Sequence, residues 1–305
     1  MSSELNIAFC ADATILPGLH ATLSSLTQRL SSRQNVVLTL FVHDITKQEC
    51  EELRETVTKA GGVRVVKFEK ADLSDLAALL PLHGNLMNYM RLRLPDLLPK
   101  AERILYLDSD LYIHTDLCLL FHQDLNGSPI GAVDAGTLKW CIDHNFYPKV
   151  GLNEDDRSFN SGVLLFDANI WRNQNIAGQA LAFGRVHHIH DQTVLNALFS
   201  RTFHPLPERY NRILGADHRP VTVSDGVYHF LASPKPWDML GRYIHGNWHL
   251  WHETIIQTQF QPTRFFIEHF GNRLRRTWLL RRSYARTVLR SLSSKLCSLA
   301  TNRLK

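Results

Sequence analysis

Residues Ile104 to Leu107 form an apolar run that ends on Asp108-Ser109-Asp110. Alternate residues of an extended strand share one face, so the two carboxylates can face a single cation. Their hard oxygens suit Mg²⁺ or Mn²⁺, and such an ion can neutralise a diphosphate leaving group. Two other readings of the triplet stay open on these residues alone. The acids can simply cap a strand at the start of a loop. The triplet can also be the aspartyl strand of a phosphoaspartate phosphatase, but that motif carries Thr or Val two residues after its second Asp, where this chain has Tyr112, and it sits on the first strand.

The elements that must carry these residues are legible as alternating apolar strands and helices. Leu5 to Ala11 reads as a strand, and Pro17 opens a helix marked by Leu19, Leu23, Leu26 and Leu30. Val36 to His43 is a second buried strand. Thr46 and Glu49 predict a capping box for a helix that runs to about Ala60 and ends at Gly61-Gly62. Val63 to Phe68 reads as a third strand, Asn85 to Leu94 as a helix with Pro95 and Pro99 at its exit, and Arg103 to Leu107 as a fourth strand. Apolar runs at Pro129 to Val133 and Gly162 to Phe166 are followed by helical patterns over Asn169 to Phe183 and Asp191 to Phe199. The alternation predicts an α/β fold with a mainly parallel central sheet covered on both faces, whose ligands bind at the carboxyl ends of the strands.

A chain of 305 residues with 44% hydrophobic content can bury a large core. Its five cysteines show no CxxC pair or zinc spacing, which argues against a disulfide framework and for a reducing compartment. The N-terminal stretch lacks the basic and apolar regions of a signal peptide, and no run of eighteen uncharged apolar residues occurs. A cytoplasmic protein without a membrane span is therefore expected.

The net charge of +5 is unevenly spread. Residues 264–305 hold eleven of the 34 Lys and Arg and, in Glu268, one of the 29 acids, so the first 263 residues are net negative by five. Phe265, Phe266, Phe270, Leu274, Trp278 and Leu279 recur at helical spacing among these arginines. An amphipathic pair of surface helices that docks on anionic lipid is the expectation; nucleic acid suits the charge but no recognition motif accompanies it.

Five blocks in order, YMRLRLPDLLP, ERILYLDSDLYI, FNSGVLLFD, HDQTVLN and HFLASPKPW, resemble glycosyltransferase family 8 over roughly Asn6 to Trp237. The family includes bacterial lipopolysaccharide galactosyl- and glucosyltransferases and glycogenin. The resemblance implies a Rossmann-like GT-A fold and transfer of a hexose, galactose or glucose, from a UDP-sugar with retention of configuration. It implies Asp108, Asp110 and His229 as ligands of Mn²⁺ or Mg²⁺, neutral imidazole being a fitting partner to two carboxylates. Lys235 then matches the lysine that binds the departing diphosphate.

The same resemblance puts Ala11, Asp12 and Thr14 at the uridine and ribose, with Arg91 and Ser109 near the donor. Thr14 stands where many relatives have Asn, and Ala232 where the family usually has Gly. Asn160 and Ser161 match a block that admits the sugar, and His83 and Asp134 match positions around sugar and acceptor. In the family the acid at Asp191 binds sugar hydroxyls and the amide at Gln192 lies near the anomeric carbon; Asp191 also reads as an N-cap of its helix. Amides are poor nucleophiles, so an oxocarbenium-like course fits better than a covalent glycosyl-enzyme. Trp248 and Trp251 can stack on a sugar face, and His249 and His252 have metal-pair spacing but better suit packing. The expected organisation is a catalytic domain over 1–260 and a basic tail over 261–305. A non-catalytic UDP-sugar-binding or membrane-surface adaptor on the same fold is the alternative.

Overall fold

The computed structural model describes residues 4–82, 84–231 and 233–289. Val36–His43 (β2) buries every residue but its last, as a strand covered on both faces must. It lies between Leu5–Asp12 (β1) and Val65–Lys70 (β3), parallel to both. β1 pairs on its other side, again parallel, with Arg103–Leu107 (β4). Beyond Leu111–His114 (β5) the chain adds Ile130–Thr137 (β6), Arg157–Asp167 (β7) and His204–Leu206 (β8). The seven-stranded order is β3-β2-β1-β4-β7-β6-β8. β7 is antiparallel to both its neighbours, β4 and β6, while β8 is parallel to β6. Every strand of this sheet but β7 therefore points the same way.

That reversal positions the site. The start of β7 meets the carboxyl ends of its neighbours, and the Asp108 N–H donates to the Gly162 carbonyl at 2.8 Å. A second sheet of three strands takes the chain as it leaves Asp110: β5 pairs antiparallel with Gly226–His229 (β10), which pairs with Arg212–Ile213 (β9). The free edge of β5 is satisfied by hydroxyls of the helix Leu16–Arg29. Thr22 Oγ bonds Leu111 N and O at 3.0 and 2.9 Å, and Ser25 Oγ accepts from Ile113 N at 3.1 Å. Gly18 lets that helix approach, since a Cβ there would lie 2.6 Å from the Ser109 carbonyl oxygen and 2.5 Å from the Trp237 ring.

Local signals held where one turn or strand decides them. The Thr46–Glu49 capping box is formed, and its helix spans Lys47–Lys59. The expected helix over Asn85 to Leu94 is instead a 3-10 segment, Met87–Arg93, followed by a short α-turn, Leu94–Leu97, in whose first turn Pro95 sits. The single helix expected over Asn169 to Phe183 is two, Ala168–Asn173 and Ile176–His187, because Asn175 adopts φ 48°. Asn tolerates this left-handed conformation, which breaks the helix.

Beyond the sheet, Pro262–Glu268 and Phe270–Leu279 form the helix pair expected of the basic segment, and residues 281–289 are also helical. Phe265 is buried against Phe260, so the first of these helices shares the main core. Among the described residues, no helix is long and apolar enough to cross a membrane.

Candidate active site

Asp108 and Asp110 leave β4 at its carboxyl end, and β10 brings the third group. In the antiparallel register His229 faces Leu111, and the Phe230 N–H donates to the Asp110 carbonyl at 3.0 Å. His229 Nε2 thereby lies 3.1 Å from Asp110 Oδ1 and 3.7 Å from Asp108 Oδ2. One ligand atom from each of the three residues lies within 4.8 Å of the others, the one such grouping among the described residues.

The chemistry of the three donors fits a divalent cation. Asp110 Oδ1 is buried and makes no hydrogen bond, an orphaned acceptor that an ion can satisfy. Lys235 Nζ sits 2.6 Å from the other oxygen, Oδ2, and also donates to the Phe230 carbonyl. Burial works to raise the Asp110 carboxyl, but the Lys235 ammonium beside it outweighs that and holds the group below the usual carboxylate range. A compact cationic centre is thus already favoured at this carboxylate.

Arg91 ties this group to the sugar-binding candidates. Its guanidinium lies 3.2 Å from Asp108 Oδ1 and 3.1 Å from Asp191 Oδ2, and donates to Ser161 O and Oγ at 2.7 and 2.8 Å. Burial opposes its charge, but Asp108, Tyr106 and Asp191 more than offset that and keep it protonated. With its donors engaged by protein, Arg91 acts as a bracket between two carboxylates. Asp191 is the first residue of the helix Asp191–Phe199 and His190 is its N-cap, so the capping reading of Asp191 does not hold. Its carboxylate points instead to Arg91 and Asn88.

Gln192 has a fixed orientation. Ser161 N, Ser161 Oγ and Asn160 Nδ2 all donate to its Oε1, at 3.1, 3.2 and 3.1 Å. A backbone N–H can only donate, so the bound atom is the carbonyl oxygen and the amide NH₂ is the group left to offer. The Ser161 hydroxyl adds a second link from Arg91 to Gln192 beside the one its backbone makes, and alanine would keep only the latter.

A cleft of about 1230 Å³ opens beside the acids, lined by Ala11, Asp12, Thr14, Arg91, Ser109 and the carboxylates of 108 and 110. Asp12 makes the local turn, accepting from Thr14 N and Oγ at 2.8 and 2.6 Å, while its other oxygen meets Asn85. Ser109 Oγ is buried without a partner. Asp134 lies apart: its carboxylate pairs with Arg157 at 2.7 Å and it does not line the cleft. His83 and Ala232 fall outside the described residues.

Sequence reasoning missed two contributors. The far wall of the cleft comes from the basic segment, through Phe265, His269, Asn272 and the arginines at 273, 275 and 276. Arg276 Nε lies 3.1 Å from Asp238 Oδ1, and Asp238 Oδ2 accepts from the Lys235 backbone N–H at 2.8 Å, so this wall holds the turn that aims Lys235. The second is Asn211, hydrogen-bonded to His229 Nδ1 at 3.0 Å. Trp251 is buried, with its indole N–H donating to Pro17 O at 2.9 Å, and cannot stack on a sugar. His252 stacks on Trp248 at 4.1 Å, as packing requires.

Comparison with known proteins identifies the family and the fold. The chain is 25% identical over 258 residues to general stress protein A of Bacillus subtilis, covering 77% of this chain and 87% of that one. It is 28% identical over 246 residues to the glycosyltransferase GlyF of Streptococcus pneumoniae, of which it covers 57%, little more than half its length, against 76% of its own. Its fold matches the galactosyltransferase LgtC, solved with donor and acceptor sugar analogs, with a TM-score of 0.69 at 20% identity over 86% of this chain and 99% of that one. This is the GT-A fold. Residues 6–241 match glycosyl transferase family 8, and the chain belongs to that family of glycosyltransferases.

Proposed function

We propose that the protein is a retaining, metal-dependent hexosyltransferase that moves galactose or glucose from a UDP-sugar to a glycan acceptor, lipopolysaccharide core or another lipid-linked glycan. The observation that carries this reading is the meeting of Asp108, Asp110 and His229 beside Lys235 at the carboxyl end of the sheet. Mn²⁺ or Mg²⁺ held by these three residues supplies positive charge against a leaving diphosphate.

The residues of the chain account for the rest. Lys235 offers a fixed cation where the bond to the diphosphate breaks. Arg91 holds Asp108 and Asp191 in place across the donor. Ala11, Asp12 and Thr14 accept the nucleoside end of the cleft, with Ser109 Oγ a free hydrogen-bonding group beside it. Asn160, Ser161 and Asp191 shape the sugar side, while Asp134, paired with Arg157 away from the cleft, has no part in this reading. Gln192 presents an N–H rather than its carbonyl oxygen, which disfavours a covalent intermediate and favours an oxocarbenium-like course. The sugar C1–O bond to the diphosphate breaks, a C1–O bond to the acceptor hydroxyl forms on the same face, and the hydroxyl proton passes to a phosphate oxygen of the departing UDP.

The basic segment supports work at the inner face of the cytoplasmic membrane. Ile267, Phe270, Leu274 and Trp278 form an exposed apolar stripe on the last helices, flanked by Arg264, Arg275, Arg281 and Arg282. Such a stripe with basic flanks suits an anionic lipid surface. Its continuation through 290–305 lies outside the described residues.

The test is incubation with Mn²⁺ and a panel of UDP-sugars, read by mass spectrometry of released or transferred hexose. Turnover is expected with UDP-galactose or UDP-glucose, and Asp110→Asn should lower it by about 10²- to 10³-fold, the scale of losing one charge-stabilising group. The absence of both hydrolysis and transfer, with UDP binding unchanged in Asp110→Asn, would refute the reading. Sedimentation with anionic and zwitterionic vesicles tests the membrane role: the parent protein should prefer anionic vesicles, and Trp278→Ser with Leu274→Ser should weaken binding to them by removing the inserted apolar surface.

A further inference from the structure

His229 meets the two acids through Nε2, so its other ring nitrogen decides whether Nε2 can serve a cation. A neutral imidazole donates at one nitrogen and accepts at the other. Nδ1 lies 3.0 Å from Asn211 Oδ1. The oxygen and nitrogen of an amide have the same shape, but two backbone N–H groups orient this chain of amides without ambiguity.

Gly162 N–H donates to the Asn160 side chain at 2.9 Å, so the atom it meets is Oδ1. That oxygen also faces the Asn211 amide at 2.9 Å, which obliges Asn211 to turn Nδ2 towards it and Oδ1 towards His229. At the other end Ser161 N–H fixes Gln192 Oε1, which in turn requires Nδ2 of Asn160 on that side. Both anchors give the same assignment. Asn211 Oδ1 is an acceptor, so Nδ1 must carry a hydrogen, and in the neutral imidazole Nε2 then keeps its lone pair.

The relay is sealed. Asn211 is 4% exposed, Asn160 7% and His229 1%, so water does not compete for these bonds. Gly162 keeps the ring pressed into place, since a Cβ there would lie 2.4 Å from His229 Cε1. The result is a bare Nε2 facing the orphaned Asp110 Oδ1 at 3.1 Å and Asp108 Oδ2 at 3.7 Å. Lys235 and Arg91 take the outer oxygens of the two acids, Asp110 Oδ2 and Asp108 Oδ1, so that in the neutral-ring form Nε2 and the two inner oxygens are three acceptors that a divalent cation can join.

We propose that Asn211 is a positioning residue of the metal site, holding His229 as the tautomer with hydrogen on Nδ1 so that Nε2 is presented to a divalent cation. The metal half of this statement rests on the function proposed above; the tautomer half does not. Outer partners of ligand histidines act in this way by fixing ring orientation and basicity.

Asn211→Leu removes the acceptor at similar volume, and Asn211→Asp restores an acceptor facing Nδ1. Two readouts apply to each variant and to the parent protein, with thermal unfolding to establish that each is folded. Long-range ¹H–¹⁵N spectra of the metal-free protein at alkaline pH, where imidazoles are neutral, report the tautomer, with His229 assigned from the spectrum of His229→Gln. Mn²⁺ titration followed by electron paramagnetic resonance reports affinity.

The parent protein is expected to show hydrogen on Nδ1, and Asn211→Leu to lose that signature and bind Mn²⁺ about 10- to 100-fold more weakly. Asn211→Asp should keep the signature and, although it gives up the bond to Asn160, lose less affinity than Asn211→Leu. Unchanged affinity and tautomer in Asn211→Leu overturn the proposal, as does an equal loss in both variants, which would make the residue a packing element. Mn²⁺ binding by a parent protein that carries hydrogen on Nε2 overturns the role of Asn211 alone. The Nδ1 signature without any Mn²⁺ binding refutes the metal role together with the function it rests on.

Discussion

The two walls of the active cleft are built on opposite principles. On the inner side, the buried His229, Asn211 and Asn160 and the half-buried Gln192 are linked by hydrogen bonds, and backbone N–H groups set their direction. On the outer side, the helices of the basic segment hold the Lys235 turn through Arg276, whose side chain is 36% exposed, and through Arg273 donating to Trp237 O at 3.0 Å. Buried polar networks are rigid and costly to break, whereas a pair such as Arg276 with Asp238, open to solvent on the arginine side, is worth less and is partly screened by salt. The inner wall is therefore the fixed template, and the outer wall is the adjustable part that responds to its surroundings.

The largest effect is expected on the inner wall. Gly162→Ala places a methyl group against the His229 ring, and because the ring is packed on all sides the cost should be about 1–3 kcal/mol of stability by overpacking. Chemical denaturation checks the stability and Mn²⁺ titration the expected parallel loss of affinity. A stable Gly162→Ala protein with native metal affinity would mean that the inner wall is not rigid.

A smaller effect is expected outside. Arg276→Ala loses an ion pair of about 0.5–1 kcal/mol, which corresponds to roughly a two- to five-fold rise in donor KM with kcat less affected. The difference from the parent protein should shrink as salt rises, since salt screens the pair in the parent. A loss as large as that in Gly162→Ala, insensitive to salt, would remove the contrast between the walls.

The smallest effect concerns the loop before Gln192. His190 and Asp143 lie 3.1 Å apart, and their hydrogen bond raises the imidazole above its ordinary value and lowers the carboxyl below its own. The raised His190 stabilises fully below its unfolded value and loses that contribution as pH rises through its folded value. The lowered Asp143 stabilises above its unfolded value and loses that contribution as pH falls through its folded value. Stability from the pair is thus greatest between the ordinary carboxylate and imidazole ranges, and Asp143→Asn should flatten this part of a plot of melting temperature against pH.

Much of the fold was written in short stretches of sequence. The buried run of β2, the capping box at Thr46 and the acids at the end of β4 each depend on neighbours within one turn or strand, and each is where local pattern puts it. The direction of β7 was not legible, because an apolar run reads the same whichever way it is inserted in a sheet. Nor was the small sheet: β9 has two residues and β10 four, too short to show a period. The meeting of His229 with the acids was reached through family resemblance, while its physical cause is the pairing of β10 with β5. Asn211 stands in the polar stretch Glu208 to Arg212, where one more amide carries no signal until the fold closes around it. Arg276 looked like one charge of a basic tail, and its contact with Asp238 depends on a chain reversal that no local window contains.

The reversed β7 leaves one amide in service to two masters. Asn160 takes the Gly162 and Asn211 hydrogens with its oxygen and gives its own hydrogen to Gln192, so the candidate sugar side and the candidate cation side share a hinge pin. Residues coupled through such a shared partner do not change independently. On the function proposed above, altering Asn160 or Gln192 to change the choice of sugar is expected to change metal affinity as well, so that the two would have to be re-tuned together.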